Sequence, residues 1–193
     1  MGITGRAIAL VCLSMLMVPA MPATSVAAAE EKEKDVAFEL GPIEVMGPGP
    51  HMVSVGAGVF DWRRVGGKET YDGGPRAEIR GELYSGWKLW FLAPMVGVLA
   101  NHDGGVYGWA GAYVDARLGP FYATPVLGLG AYRRGESKDL GGTFEFYTGG
   151  TISYAFENDL RLGLIISHLS NAYTHEDNPG TESFLLTIMV PFE

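Results

Sequence analysis

The chain has 193 residues, of which 47% are hydrophobic and 19% are charged, and its formal net charge at pH 7 is −8. A hydrophobic fraction of this size excludes a chain that is disordered throughout, and its 28 glycines lack the three-residue period of collagen. The excess of acidic residues argues against a nucleic-acid partner, because such a partner requires a basic surface. At this length we expect one folded domain.

The first segment has the pattern of a secretory signal peptide. Arg6 precedes an apolar run, Ala7–Val18, and prolines and small residues follow. A run of about twelve residues is too short to span a bilayer, so we predict a cleaved signal peptide over residues 1–29. The single cysteine, Cys12, lies inside it, so we expect no disulfide and no cysteine-ligated metal in the exported chain. Residues 30–50 carry no clear assignment.

From residue 51 onward the sequence alternates between apolar and polar residues with a period of two, which is the strand signal. In one segment Ala77, Ile79 and Leu83 share a face opposite Glu78 and Arg80. Several segments exceed the roughly 9–11 residues that a tilted strand needs to cross a membrane. Eight segments show the pattern, near 51–62, 75–84, 87–100, 106–118, 121–133, 142–156, 159–171 and 182–192.

The connections between these segments alternate in length. Tight turns are predicted at Ser85-Gly86, Gly119-Pro120 and Glu157-Asn158-Asp159, and longer loops near 63–74, 101–105, 134–141 and 172–181. Short turns at one end, long loops at the other and aromatic residues beside the turns are typical of outer-membrane barrels. We therefore predict an all-β fold, an eight-stranded antiparallel transmembrane β-barrel over residues 51–193. A soluble barrel with the two faces exchanged is the alternative.

The polar face of the predicted strands carries many charges. Eight strands leave an interior that side chains fill, so we expect a buried, paired network rather than a pore. Its expected members are Arg76, Glu78, Arg80, Glu82, Asp115, Arg117, Glu145 and Arg161.

Three polar residues have the parity of the apolar, lipid-facing side in the last two strands. His168, Ser170 and Glu182 all point outward at the loop end, where polar groups are costly unless they are paired or used. A register that pairs His168 with Glu182 also pairs Ile166 with Phe184, and directly opposed Cβ atoms lie about 4.5–5.5 Å apart. Other registers of the same parity also fit the pattern.

These residue types match the roles of a serine-hydrolase triad. Ser170 is the candidate nucleophile, His168 the general base and Glu182 the group that orients the imidazole. Asn171, next to the nucleophile, is the candidate oxyanion donor. The apolar neighbours expected to form an acyl-chain groove are Ile166, Phe184 and Leu186.

The stretches His168-Leu169-Ser170-Asn171-Ala172 and Asn178-Pro179-Gly180-Thr181-Glu182-Ser183 resemble the signature of the outer-membrane lipid A 3-O-deacylases of the PagL type, also called acyloxyacyl hydrolases. The resemblance implies hydrolysis of the ester-linked 3-hydroxyacyl chain at position 3 of lipid A, within lipopolysaccharide. It implies the same triad and Asn171 as oxyanion contributor, no cofactor or metal, and an active site facing the outer leaflet of a Gram-negative outer membrane. Tyr173 departs from the pattern, because a small residue, often glycine, is associated with its position.

Two alternatives remain open. An outer-membrane phospholipase A shares the His-x-Ser-Asn core, but a larger, twelve-stranded barrel, an asparagine as third member and a calcium requirement are expected of it. A small structural or adhesion barrel without enzymatic activity is the second alternative, and in it His168 and Ser170 would be incidental.

Overall fold

The structure is a computed structural model that describes residues 36–62 and 75–193. The predicted signal peptide and the loop near 63–74 lie outside the described residues. Across the described ranges, no helix has the length and apolar character needed to cross a membrane. The strands in chain order are β1 (Val36–Leu40), β2 (Ile43–Met46), β3 (His51–Phe60), β4 (Arg76–Tyr84), β5 (Ala93–Asn101), β6 (Val106–Tyr113), β7 (Ala116–Leu118), β8 (Phe121–Arg133), β9 (Phe144–Ala155), β10 (Arg161–Ser170) and β11 (Thr181–Phe192).

Eight of these strands close into a barrel. Their order is β3-β4-β5-β6-β8-β9-β10-β11, every neighbouring pair is antiparallel, and β11 pairs back with β3. The remaining three strands lie at the end where the turns are. The predicted all-β, eight-stranded antiparallel barrel is therefore confirmed.

The turn end differs from the prediction in two places. The predicted strand 106–118 is interrupted between β6 and β7, and the predicted strand 87–100 begins only at Ala93. The preceding residues form a turn, in which Leu89 bridges Leu92 and Trp90 has a φ of 61°. The predicted tight turn at Ser85-Gly86 was wrong. The reason is the position of β2. It pairs with β7 on the side of the sheet where β5 pairs with β6, and it therefore occupies the place that an earlier start of β5 would need.

The two faces of the barrel wall follow the predicted alternation. On β4 the outward Ile79 is 66% exposed, whereas Glu78 and Arg80 are buried. The same alternation leaves apolar side chains exposed around the wall. An apolar surface of this extent is unfavourable in contact with water. The exposed set includes Val55, Val96, Leu127, Ile152, Leu162, Leu164 and Ile188.

Arg80 is the centre of the interior network. Its guanidinium donates to Glu78 Oε1 from Nε at 2.9 Å and from Nη2 at 2.6 Å, and also to Tyr147 Oη at 2.9 Å and Ser167 Oγ at 3.0 Å. Its Cζ lies 5.5 Å from the ring centroids of both Trp109 and Tyr147. The interior is thus filled by side chains from opposite walls, and a pore is absent from this level of the barrel.

Two predicted members of the network behave differently from the rest. Arg117 lies at the turn end, is only partly buried and pairs with Glu44 of the N-terminal hairpin. Glu145 is fully buried, and neither of its carboxylate oxygens accepts a hydrogen bond from the described part of the chain. The paired network therefore has its centre at Arg80, with a second group of Asp115, Arg161 and Thr124 nearer the turns.

We predict that Arg80→Met destabilises the barrel by about 3–5 kcal/mol, because it leaves the charge of Glu78 buried without its partner. The measurement is the free energy of unfolding by urea in detergent micelles. Arg134→Met is the matched control, since the Arg134–Asp139 pair is largely exposed and contributes about 0–1 kcal/mol. Equal losses in the two variants would contradict a central role for Arg80.

Candidate active site

The β10–β11 hairpin has the register that brings the candidate residues together. His168 lies directly opposite Glu182, and Ile166 lies opposite Phe184. This is one of the registers that the sequence pattern allowed. Parity then places all four side chains on the outer face of the barrel, at the loop end. An active site here faces lipid rather than the interior.

His168 and Glu182 form a hydrogen bond across the two strands. Nδ1 of His168 lies 3.2 Å from Oε1 of Glu182, and the imidazole is 44% exposed while the carboxylate is 18% exposed. An ionised carboxylate only accepts hydrogen bonds, so Nδ1 carries the proton and donates it. This tautomer leaves Nε2 of His168 with its lone pair available as a proton acceptor.

Ser170 is the last residue of β10 and lies opposite Phe146 of β9. It is two residues beyond His168, so their Cα atoms are about 6.6 Å apart on the same face of one strand. A hydroxyl and an imidazole at this spacing are within reach of each other through ordinary rotamer changes. Both side chains are partly exposed, which leaves them accessible from outside the barrel.

Asn171 follows directly and is fully buried. Its Nδ2 donates to the carbonyl of Leu140 at 2.8 Å and to that of Asp177 at 2.7 Å, and its backbone N–H donates to Asn178 Oδ1 at 3.0 Å. All three N–H bonds of Asn171 therefore go to protein acceptors, so donation to an oxyanion by Asn171, which stays a prediction, requires one of these hydrogen bonds to be exchanged. These contacts connect the end of β10 to two loops.

Asn178 is a residue to which the sequence analysis assigned no role. Because its Oδ1 accepts the backbone N–H of Asn171, its carboxamide lies beside the peptide bond that joins Ser170 to Asn171. Its Nδ2 makes no hydrogen bond with other described residues. Its place in the stretch Asn178-Pro179-Gly180 was visible in the sequence, but the contact with Asn171 depends on how the loop folds back.

Tyr173, which stands where the family pattern has a small residue, has a backbone conformation that explains this preference. Ala172 and Tyr173 have φ values of 51° and 61°, a left-handed conformation that glycine adopts most easily. The Tyr173 side chain is 80% exposed, and its backbone N–H donates to Asn171 Oδ1 at 3.0 Å. The position therefore accepts tyrosine at some conformational cost, without a clash, and its N–H is also committed within the loop.

The long loops are fastened to one another around the site. Lys138 Nζ donates to Asp61 Oδ1 at 2.7 Å, and Asn101 Nδ2 donates to Ser137 Oγ at 2.8 Å. In the neighbouring loop the Arg76 guanidinium hydrogen-bonds the Asp103 carboxylate and lowers its pKa, which keeps that carboxylate charged in mildly acidic conditions. The segment 134–143 thereby connects three other loops.

Trp62, just after β3, is a second residue that the sequence analysis missed. Its backbone N–H donates to the carbonyl of Glu182 at 3.2 Å, and its ring centroid lies 5.9 Å from that of Phe184. The predicted groove residues Ile166, Phe184 and Leu186 are 52%, 37% and 62% exposed on the same outer surface. Trp62 therefore adds an aromatic wall to the apolar surface beside the triad candidates.

Comparisons with known proteins identify the family to which the chain belongs. The family model described as "Lipid A 3-O-deacylase (PagL)" matches residues 73–191, more than half of the chain. The chain belongs to the PagL family. This confirms the resemblance seen in the sequence and assigns the protein to the outer-membrane lipid A 3-O-deacylases, a class of hydrolases.

One solved structure supports the fold of this PagL family member. The crystal structure of the outer membrane enzyme PagL has a TM-score of 0.58 and 18% identity, and the match covers 73% of this chain and 99% of that one. A de novo designed transmembrane β-barrel has a TM-score of 0.49 and 16% identity, covering 77% of this chain and 99% of that one. The comparison with curated protein sequences gives no significant match.

We predict that Gly180→Ala lowers lipid A deacylation by about 10- to 100-fold, because small displacements of catalytic groups have effects of this size. Gly180 has a φ of 57°, and a Cβ there would lie 2.9 Å from Cε1 of His168. Gly119 has the same φ but nothing within 4 Å of its Cβ position. Gly119→Ala therefore has the same backbone strain without the contact, and the test is to compare deacylation rates and unfolding free energies. Equal rates in the two variants would show that the contact with His168 is unimportant.

Proposed function

We propose that this PagL family member is a serine esterase that removes the ester-linked 3-hydroxyacyl chain at position 3 of lipid A through a Ser170-His168-Glu182 triad. The observation that carries the proposal is the His168–Glu182 hydrogen bond on the lipid-facing surface, two residues from a serine. A hydrogen-bonded polar pair at this position is costly in a purely structural barrel wall, so its presence favours a catalytic use.

The first step is acylation. His168 Nε2 takes the proton from Ser170 Oγ while that oxygen attacks the ester carbonyl carbon, and the carbonyl oxygen becomes the oxyanion of a tetrahedral intermediate. Collapse of the intermediate breaks the bond to the sugar oxygen, which receives the proton from His168. The sugar hydroxyl leaves, and the 3-hydroxyacyl chain remains as an ester on Ser170.

The second step is deacylation by water. His168 takes a proton from the water molecule, whose oxygen attacks the acyl carbonyl, and collapse returns the proton to Ser170 Oγ. A free 3-hydroxy fatty acid leaves. Through both steps the Glu182 carboxylate holds Nδ1–H of His168 and stabilises the imidazolium that forms each time Nε2 is protonated.

The N–H groups of Asn171, the oxyanion donor expected from the sequence, already have protein acceptors, so the oxyanion requires a further donor. We propose Asn178 for this role, because its carboxamide lies beside the Ser170–Asn171 peptide and its Nδ2 has no acceptor among the described residues. A preorganised amide donor of this kind typically contributes about 10²–10³-fold to the rate. The role of Asn171 is then to hold the loop in which Asn178 lies.

The position of the site suits a substrate that never leaves the membrane. The loop end of an outer-membrane barrel faces the outside of the cell, so the triad would border the outer leaflet, which contains lipopolysaccharide. Ile166, Phe184 and Leu186 offer an apolar surface for the acyl chain. Residues 1–29 are proposed to serve as the signal peptide for this export.

The two alternatives have less support. A phospholipase of the His-x-Ser-Asn type is expected to have twelve strands and an asparagine as third member, whereas this barrel has eight strands and Glu182 in that place. A non-enzymatic barrel gives no reason for the outward-facing hydrogen bond between His168 and Glu182.

We predict that Ser170→Ala abolishes deacylation, with a loss of at least about three orders of magnitude in rate. The measurement is mass spectrometry of lipid A after incubation with detergent-folded protein, in which wild type should release one 3-hydroxyacyl chain. Ser153→Ala is the matched control, because Ser153 Oγ is buried inside the barrel and makes no hydrogen bond with the described residues. Full activity in Ser170→Ala would contradict the triad, and cleavage of phospholipid only, dependent on calcium, would favour the phospholipase.

We also predict that Trp62→Ala reduces the preference for long acyl chains by about tenfold, because the apolar contact that it removes is comparable to that of one methylene group in a hydrophobic pocket, about 1–3 kcal/mol. The measurement compares kcat/KM for ester substrates with short and long acyl chains. Trp62→Phe retains a ring against Phe184 and should keep most of the preference. An equal loss on both substrates would indicate that Trp62 supports the backbone of Glu182 instead of the chain.

A further inference from the structure

The turn end of the barrel carries an apolar surface that plays no part in the proposed reaction. We call it the turn-end surface, and it consists of the outward side chains of the 85–92 turn and of the apolar face of the β1–β2 hairpin. Trp87 is 78% exposed, Leu89 86% and Trp90 62%. The whole set is Phe38, Leu40, Ile43, Trp87, Leu89, Trp90, Phe91 and Leu92.

The hairpin is amphipathic. Its register pairs Leu40 with Ile43 and Phe38 with Val45, whereas Glu39 lies opposite Glu44 on the other face. The ring centroid of Phe38 lies 5.2 Å from that of Trp90 and 5.5 Å from that of Phe91, so the apolar face of the hairpin and the turn form one surface. Both β1 and β2 precede the residues that the family model matches.

A buried lysine fixes the direction of the turn. The side chain of Lys88 is 3% exposed, its Nζ donates to the carbonyl of Met46 at 3.2 Å, and it lies 5.2 Å from the ring centroid of Tyr113. The residues on either side of it, Trp87 and Leu89, consequently point away from the barrel. The turn is also held by the backbone N–H of Gly49, which donates to Gly86 O at 3.0 Å.

The surface is continuous with the lipid-facing wall. The Trp87 ring lies 5.2 Å from that of His51, and the His51 ring lies 5.4 Å from that of Phe192. Phe192 ends the row of outward apolar residues on β11 that includes Phe184 and Ile188. The exposed aromatic side chains of the turn thus extend the band that already contacts lipid, and tryptophan is enriched at such membrane interfaces.

We propose that the turn-end surface inserts into the interfacial layer of the phospholipid leaflet at the turn end of the barrel, so that the hairpin and turn anchor the protein at a fixed depth. Its continuity with the lipid-facing wall favours phospholipid over a second copy of the chain or another protein. The inference is independent of the triad and of the deacylase reaction.

The test uses nitroxide spin labels on the full chain in vesicles of phosphatidylethanolamine and phosphatidylglycerol. With Cys12 replaced by serine, single labels are placed by Leu89→Cys and Leu40→Cys. Ile188→Cys gives the lipid-facing reference, and Asp139→Cys, at an exposed loop position, gives the aqueous one. The accessibility of each label to oxygen and to a water-soluble nickel complex is measured by electron paramagnetic resonance, and a heat-modifiable gel shift confirms that each variant is folded.

We expect labels at 89 and 40 to favour oxygen over nickel at least severalfold more than the label at 139, with values between those of the labels at 139 and 188. Labels that behave like the one at 139 would show a surface in water and overturn the proposal. Spin–spin broadening that disappears on dilution with unlabelled protein would show a contact between copies, which would overturn it as well. A double variant, Trp87→Ser with Trp90→Ser, should move the label at 89 toward the aqueous value.

Discussion

The narrow interior of an eight-stranded barrel is the constraint on which the site depends. Arg80, Trp109 and Tyr147 meet at the centre of the barrel, with ring and guanidinium contacts at 4.9 to 5.5 Å, and they leave no space for a lipid chain. Any chemistry on a lipid substrate must therefore occur on the outer wall. Since strand residues alternate between the two faces, the polar groups that do this chemistry must have the parity of the lipid-facing residues.

The register of β10 against β11 determines which polar side chains meet on the outer wall. A slip of β11 by one residue would move Glu182 to the interior and the row of outward apolar residues on β11 into the polar network, so burial on both faces specifies the register strongly. Ile166–Phe184 and Leu164–Leu186 are the apolar pairs that hold it on the lipid side, and Ser167–Ser183 is its interior counterpart. The His168–Glu182 hydrogen bond follows from packing along the whole hairpin, and the pair lies on strands, which are more rigid than loops.

The sequence predicted the parts of the structure that depend on local alternation. The strands around Arg76–Tyr84 and Arg161–Ser170 were predictable because each has a clear apolar face, and the pairing of His168 with Glu182 was one of a few registers that parity allowed. The contacts of Asn171 were not predictable, because its hydrogen bond with Leu140 joins segments 31 residues apart through a loop without periodicity. The β1–β2 hairpin was missed because its strands are only five and four residues long. Residues 87–92 were predicted to be part of a strand because their apolar side chains resemble one.

The two ends of the barrel stand in a fixed relation to the membrane. From Arg161 to Ser170 the strand β10 advances about 3.3 Å per residue, and at a tilt of about 45° this corresponds to roughly 20 Å along the membrane normal. The apolar band of such barrels is about 25 Å tall, so Ser170 lies near its outer edge when the turn end is held at its inner edge. An ester between a sugar and an acyl chain lies at that same boundary, between headgroup and hydrocarbon. Anchoring the turn end would therefore hold the nucleophile at the depth of the bond that it is proposed to cleave.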